Sequence, residues 1–172
     1  MAINEICSLN LKKTKLMEIG AKLGADIPFF IFSNAALAYG IGDNLTDLSN
    51  LPKLNLVLIN PGFPLSTKVV YENLNLRLTS KKINYSIPPI LTLKNLISEL
   101  HNDLESVSIE MHPELQNLKQ LLLDHGAQGT LMSGSGPTVF GIFSDENSAK
   151  KASVSIKQEV PLQYEVFFAQ SL

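Results

Sequence analysis

Met132-Ser133-Gly134-Ser135-Gly136-Pro137-Thr138-Val139-Phe140-Gly141-Ile142-Phe143 reads as a serine- and glycine-rich loop feeding a run of β-branched and aromatic residues. Gly134 and Gly136 permit φ > 0 and let a backbone approach a ligand with no Cβ in the way. Successive exposed N–H groups in such a loop form a concavity that suits an anion. Working outward, Gly129–Met132 and Val139–Phe143 are expected to flank the loop as strands. A helix from Glu146 to Gln158 and a final strand from Tyr164 to Phe168 follow.

Upstream, Leu54-Asn55-Leu56-Val57-Leu58-Ile59 is a core strand stopped by Asn60-Pro61-Gly62. Ser66 caps a helix running through Leu74. Residues 75–90, with Lys81-Lys82 and Pro88-Pro89, read as a surface loop, and a helix is expected from about Leu91 to Leu100. Pro113 suits the first turn of a helix reaching Asp124, with Gly126 just beyond its end. Nearer the start, Leu16, Ile19 and Leu23 fall at helical spacing, so Asn10–Leu23 is expected as a helix capped by Asn10. Phe29–Phe32 and Ala35–Tyr39 are expected as strands, with Gly40-Ile41-Gly42-Asp43 as turn material. Ile3, Ile6 and Leu9 suggest an earlier helix already under way at the first residue. The order strand–helices–strand–strand–helix–strand from Leu54 to Phe168 predicts an α+β two-layer sandwich with a mostly antiparallel, ferredoxin-like sheet.

Composition narrows the function classes. The chain has 172 residues, 45% hydrophobic and 17% charged, which fits a globular fold and not a disordered one. A formal net charge of -2 offers no basic footprint for nucleic acid. The lysine pairs at 12–13, 81–82 and 150–151 read as solvated faces. No apolar run has the length of a membrane span, and the first residues lack the pattern of a signal peptide. A single cysteine, Cys7, excludes an internal disulfide, so a soluble cytoplasmic domain is expected.

Further candidates for chemistry lie apart from the loop. Leu23-Gly24-Ala25-Asp26-Ile27-Pro28-Phe29-Phe30 sets a carboxylate after a helix end, before a proline expected to hold Ile27 extended. Asp26 either orients a reacting hydroxyl or simply caps the turn. Thr67 and Tyr71, at i and i+4, share one helix face, for ligand contact or for packing. Asn102-Asp103-Leu104-Glu105 reads as a helix-turn contact that shapes the domain. His101, His112 and His125 lack zinc-site spacing, so no metal site is expected. Ser135 lacks the spacing of a hydrolase nucleophile elbow.

Taken in order, the Asp26 segment, Pro61-Gly62 with Ser66-Thr67 and Val70-Tyr71, Asn102 to Glu105, and the glycine loop closely resemble the GHMP kinase superfamily. Within it, the branch that phosphorylates a cytidine diphosphate-linked methylerythritol for non-mevalonate isoprenoid synthesis matches best, from about Ile3 to about Ala169. The resemblance implies ATP and Mg²⁺ as cofactors, Asp26 as general base, and Thr67, Tyr71, Gly134, Ser135 and Gly136 as substrate-binding residues. Residues 1–53 would then belong to the kinase N-terminal domain and 54–172 to its C-terminal domain. The family's upstream phosphate loop and lysine find no match here, nor does any Gly-x-x-x-x-Gly-Lys-Ser/Thr pattern. The chain is therefore expected to correspond to the carboxy-terminal part of such a kinase and to have little turnover alone. Leu9, Phe29 and Phe30 are candidates for an exposed, self-associating surface. A homoserine- or mevalonate-type kinase, and a non-catalytic ferredoxin-like binding domain, stand as alternatives.

Overall fold

The computed structural model describes residues 2–40, 42, 44–48, 51–74 and 92–171. It divides into two compact units, one through Leu51 and one spanning Pro52–Ser171.

The first unit holds α1 (Ala2–Ile6), α2 (Lys13–Ala21), α3 (Ile27–Phe32) and a hairpin of β1 (Ala36–Tyr39) and β2 (Asn44–Asp47). The hairpin is antiparallel, with Tyr39 opposite Asn44. The expected strand at Phe29–Phe32 is instead helix α3, and Ile27 is its first residue, not an extended one. Proline suits a first helical turn because the N–H it lacks would be unpaired there anyway. Ile27 and Ile31, four apart, then present one face to Gly20 of α2. A Cβ on Gly20 would lie 2.7 Å from Ile27 Cγ2 and 3.0 Å from Ile31 Cδ1, so this close helix crossing requires glycine. Asn10 does not cap α2. It has φ of +53°, and the N-cap position falls to Lys12, which makes no side-chain cap bond.

The second unit contains β3 (Asn55–Asn60), α4 (Thr67–Asn73), α5 (Leu93–Ser98), α6 (Asp103–Met111), α7 (Glu114–Asp124), β4 (Gly129–Met132), β5 (Val139–Phe143), α8 (Glu146–Glu159) and β6 (Glu165–Gln170). The sheet order is β4-β5-β3-β6 and every neighbouring pair is antiparallel, which is the expected ferredoxin-like α+β sandwich. Ile59 pairs with Val139 on one side and Val166 on the other. The loop expected at residues 75–90 lies outside the described residues. Helix α5 is shorter than its expected span and starts at Leu93, where Thr92 Oγ1 accepts the Asn95 N–H at 3.2 Å. Of helix α6 the sequence reading caught only the start, Asn102 to Glu105, as a helix-turn contact.

The core explains why the sheet closes. Val57, Ile59 and Val139 are fully buried in the central strands, and Leu115, Leu122, Ala149 and Ile156 meet them from α7 and α8. Leu115, Leu118 and Leu122 recur at three- and four-residue spacing, so α7 turns one apolar stripe inward. Burying each such side chain contributes about 1.5–3 kcal/mol. At Gly141 of β5 a Cβ would lie 2.8 Å from Ala127 Cβ and 3.2 Å from Leu122 Cβ, so these side chains pack directly onto the strand backbone.

Candidate functional site

The strand β4 ends at Met132 and the chain returns in β5 at Val139, so the glycine loop is the tip of a hairpin. Ser133 N–H donates to Thr138 O at 2.9 Å and Gly136 N–H to Ser133 O at 2.9 Å, which closes the tip. Gly134 has φ of +56° and Gly136 of +85°, conformations that side chains with a Cβ rarely adopt. The two glycines differ in surroundings. A Cβ on Gly136 would press on Met132 Sδ at 2.7 Å, while one on Gly134 would meet nothing within 4 Å.

Helix α4 delivers Thr67 to this loop. Ser66 is its N-cap as expected, accepting the Val69 N–H at 3.4 Å, and Val70 is fully buried against the core. With Val70 turned inward, Thr67 stands on the loop side, and Thr67 Oγ1 lies 2.8 Å from Ser135 Oγ, a hydrogen bond between residues far apart in sequence. Tyr71 is one turn along and 57% exposed, its ring open to solvent and free to receive a flat partner. Asn60 supports the same end of the sheet: its Nδ2 donates to Thr138 Oγ1 at 2.9 Å and its Oδ1 accepts the Gly62 N–H at 2.8 Å.

Helix α6 approaches from the other side. Asn102 caps it by accepting the Leu104 N–H at 3.0 Å, and its amide donates to Met132 O at 2.9 Å and Gly134 O at 2.8 Å. Glu105 Oε2 accepts the Met132 N–H at 2.7 Å, and its Oε1 pairs with Lys119 of α7. Ser108, fully buried, donates to Ser135 O at 3.1 Å. The sequence reading took Asn102 to Glu105 as a domain-shaping contact and passed over Ser108. The missed signal is the spacing: positions 102, 105 and 108 share one helix face.

Asp26 belongs to the first unit. It stands exposed at the N-cap position of α3, yet its carboxylate makes no cap bond and no ion pair among the described residues. Thus Thr67, Ser135 and the two loop glycines are gathered at one end of the second unit, with Tyr71 next to them, and Asp26 lies in a separate unit. Among the described residues, no three or more His, Cys, Asp and Glu side chains group as a metal site. No helix there is long and apolar enough to cross a membrane.

Comparison with known proteins places this arrangement. The family model described as "GHMP kinases C terminal" matches residues 88–162, which include α6, α7 and the whole glycine loop. Residues 88–162 thus carry the pattern of a GHMP kinase C-terminal domain. A 4-diphosphocytidyl-2-C-methyl-D-erythritol kinase from Syntrophus aciditrophicus is 52% identical over 172 residues, which is 100% of this chain and 61% of that protein. The crystal structure of a 4-(cytidine 5'-diphospho)-2C-methyl-D-erythritol kinase superposes with a TM-score of 0.74 at 25% identity, covering 98% of this chain and 60% of that one. A homoserine kinase from Cytophaga hutchinsonii, at 16% identity and a TM-score of 0.69 over 99% of this chain and 61% of that one, is alike in fold alone. The chain thus spans about 60% of the length of the kinases it matches.

Proposed function

We propose that the protein carrying this chain transfers the γ-phosphate of ATP to a hydroxyl of 4-diphosphocytidyl-2-C-methyl-D-erythritol. The observation that supports this reading most is the glycine loop held between α4 and α6, within a chain 52% identical to a kinase of that name. Residues 54–172 are taken as the GHMP C-terminal domain and residues 1–53 as part of the N-terminal one.

Phosphoryl transfer asks a protein mainly for positioning and charge stabilisation. In the proposed step, the substrate hydroxyl oxygen bonds to the γ-phosphorus, the bond from that phosphorus to the β–γ bridging oxygen breaks, and ADP leaves. The hydroxyl proton passes to Asp26, whose carboxylate has no competing protein partner among the described residues. Tyr71 stacks on the cytosine ring and Thr67 holds the substrate beside the loop. Gly134, Ser135 and Gly136 close the site around substrate and phosphate. Mg²⁺ accompanies ATP on its phosphates, as is usual for this ion. These 172 residues match about 60% of the length of such kinases and not the family's phosphate loop and lysine, so by themselves they are expected to turn over little. Leu9, Phe29 and Phe30, all more than a third exposed, are the proposed self-associating surface.

The test is ATP-dependent phosphorylation by the protein expressed from its complete reading frame, offered this substrate, homoserine and mevalonate in parallel. Phosphorylation of the cytidine-linked substrate, lost by at least two orders of magnitude in Asp26→Asn, is expected for a general base. Preference for homoserine or mevalonate, or an Asp26→Asn variant with normal turnover, would refute the assignment.

A further inference from the structure

Asn102, Glu105 and Ser108 do for the glycine loop what a neighbouring strand does for a sheet. Among the described residues strand β4 lies at the edge of its sheet, so the backbone of Met132, paired with Val139 on one side, has no strand on the other. Both its backbone groups are nonetheless used: the N–H by Glu105 and the C=O by Asn102. An Asn followed three residues later by Glu ordinarily forms a capping box, with the glutamate folded back on its own helix N-terminus. Here Asn102 keeps the cap, while Glu105 turns outward to Met132 and is held there by Lys119. Both ends of that ion pair are largely buried, with side chains 16% and 13% exposed, so its geometry is constrained.

The consequence lies in peptide geometry. A trans peptide points its N–H opposite to its C=O. The only cis bond in the described chain is Gly136–Pro137, so the Gly134–Ser135 peptide is trans. Asn102 draws the Gly134 C=O toward α6, which turns the Ser135 N–H away from α6. That N–H has no acceptor among the described residues. Ser108 holds the next carbonyl, Ser135 O, on the same side.

We infer that Asn102, Glu105 and Ser108 are positioning residues that hold the loop carbonyls on α6 and so aim the Ser135 N–H at an anionic, phosphate-like ligand. The inference builds on the kinase reading, but its test does not depend on turnover. Asn102→Asp is the sharpest perturbation: its remaining oxygens still cap α6, yet it donates nothing to Met132 O or Gly134 O. Ser108→Ala, a smaller change, releases only Ser135 O. Glu105→Gln combined with Lys119→Met keeps an acceptor for the Met132 N–H and leaves no unpaired buried charge.

The experiment is a titration of the full-length protein with pyrophosphate, following the Ser135 amide resonance, with thermal unfolding as a check on folding. In the wild type the Ser135 amide is expected to shift on pyrophosphate addition. Asn102→Asp should weaken that binding roughly tenfold, the scale of one lost hydrogen bond, with Ser108→Ala affected in the same direction. The Glu105→Gln/Lys119→Met pair should bind within about threefold of wild type, since the Met132 bond survives. A wild-type Ser135 amide that ignores pyrophosphate overturns the inference, even if the protein is an active kinase. Unchanged binding in both Asn102→Asp and Ser108→Ala, with normal melting, overturns it as well. A responsive amide in a protein that phosphorylates none of the offered acceptors supports the loop assignment and refutes the kinase reading instead.

Discussion

Replacing Gly136 by alanine drives a methyl group to 2.7 Å from Met132 Sδ and 3.2 Å from Leu65 Cδ2, at a φ of +85°. Met132 is 1% exposed, so its thioether has little room to withdraw. Overpacking of this kind costs about 1–3 kcal/mol, and a left-handed backbone adds about 1–2 kcal/mol for a residue with a Cβ. Alanine also stiffens the unfolded chain, which returns about 0.4–1 kcal/mol. The net expectation for Gly136→Ala is a loss of about 2–4 kcal/mol. Gly134→Ala makes the comparison decisive. Its φ is +56°, so the backbone cost is similar, but its Cβ would meet nothing within 4 Å. Only about 1 kcal/mol is expected there after the unfolded-state gain. Urea unfolding of the two variants, followed by circular dichroism, reads the difference directly. With a slope of about 1–3 kcal/mol per molar urea, the midpoints should separate by on the order of 1 M, Gly136→Ala being the lower. Equal midpoints, or a lower midpoint for Gly134→Ala, would show that crowding at Met132 does not set the cost.

Phe143, 1% exposed in β5, is expected to cost about 3–5 kcal/mol on replacement by alanine, read as a lowered urea midpoint; a loss below about 1 kcal/mol would contradict its place in the core. Tyr71→Ala should leave stability within about 0.5 kcal/mol, because the ring is exposed, yet weaken binding of a cytidine nucleotide by about 1–3 kcal/mol in calorimetry if the ring stacks on the base. Asp145 is held down from 3.8 to about 2, first by the Ser148 backbone N–H and then by the Ser148 and Ser144 hydroxyls. A depressed carboxyl stabilises the fold above its ordinary value and ceases to as pH falls from 3.8 toward about 2. Asp145→Asn should therefore melt below wild type near neutral pH, and the gap should close as the pH approaches that lower value.

Much of the second unit was written in local sequence. The apolar run at 54–59 gives β3, Pro113 and Gly126 bracket α7, and Ser66 gives the start of α4, because each signal acts within one or two turns of its own backbone. The glycine loop was equally legible, since φ > 0 at Gly134 and Gly136 is a property of single residues. At α3, local reading failed. The aromatic run after Pro28 has strand-like composition, but Ile27 and Ile31 find Gly20 only when wound as a helix, so packing overrode propensity. Glu105 shows the same limit at the site: its spacing from Asn102 fits a capping box, whereas its actual partners, Met132 N–H and Lys119, lie 27 and 14 residues away. Thr67 meets Ser135 across 68 residues. Sequence thus determined which residues turn, cap and fill the core. Which side chains hold the glycine loop was decided only when the sheet closed, because a hydrogen bond between distant segments has no local backbone signature to read.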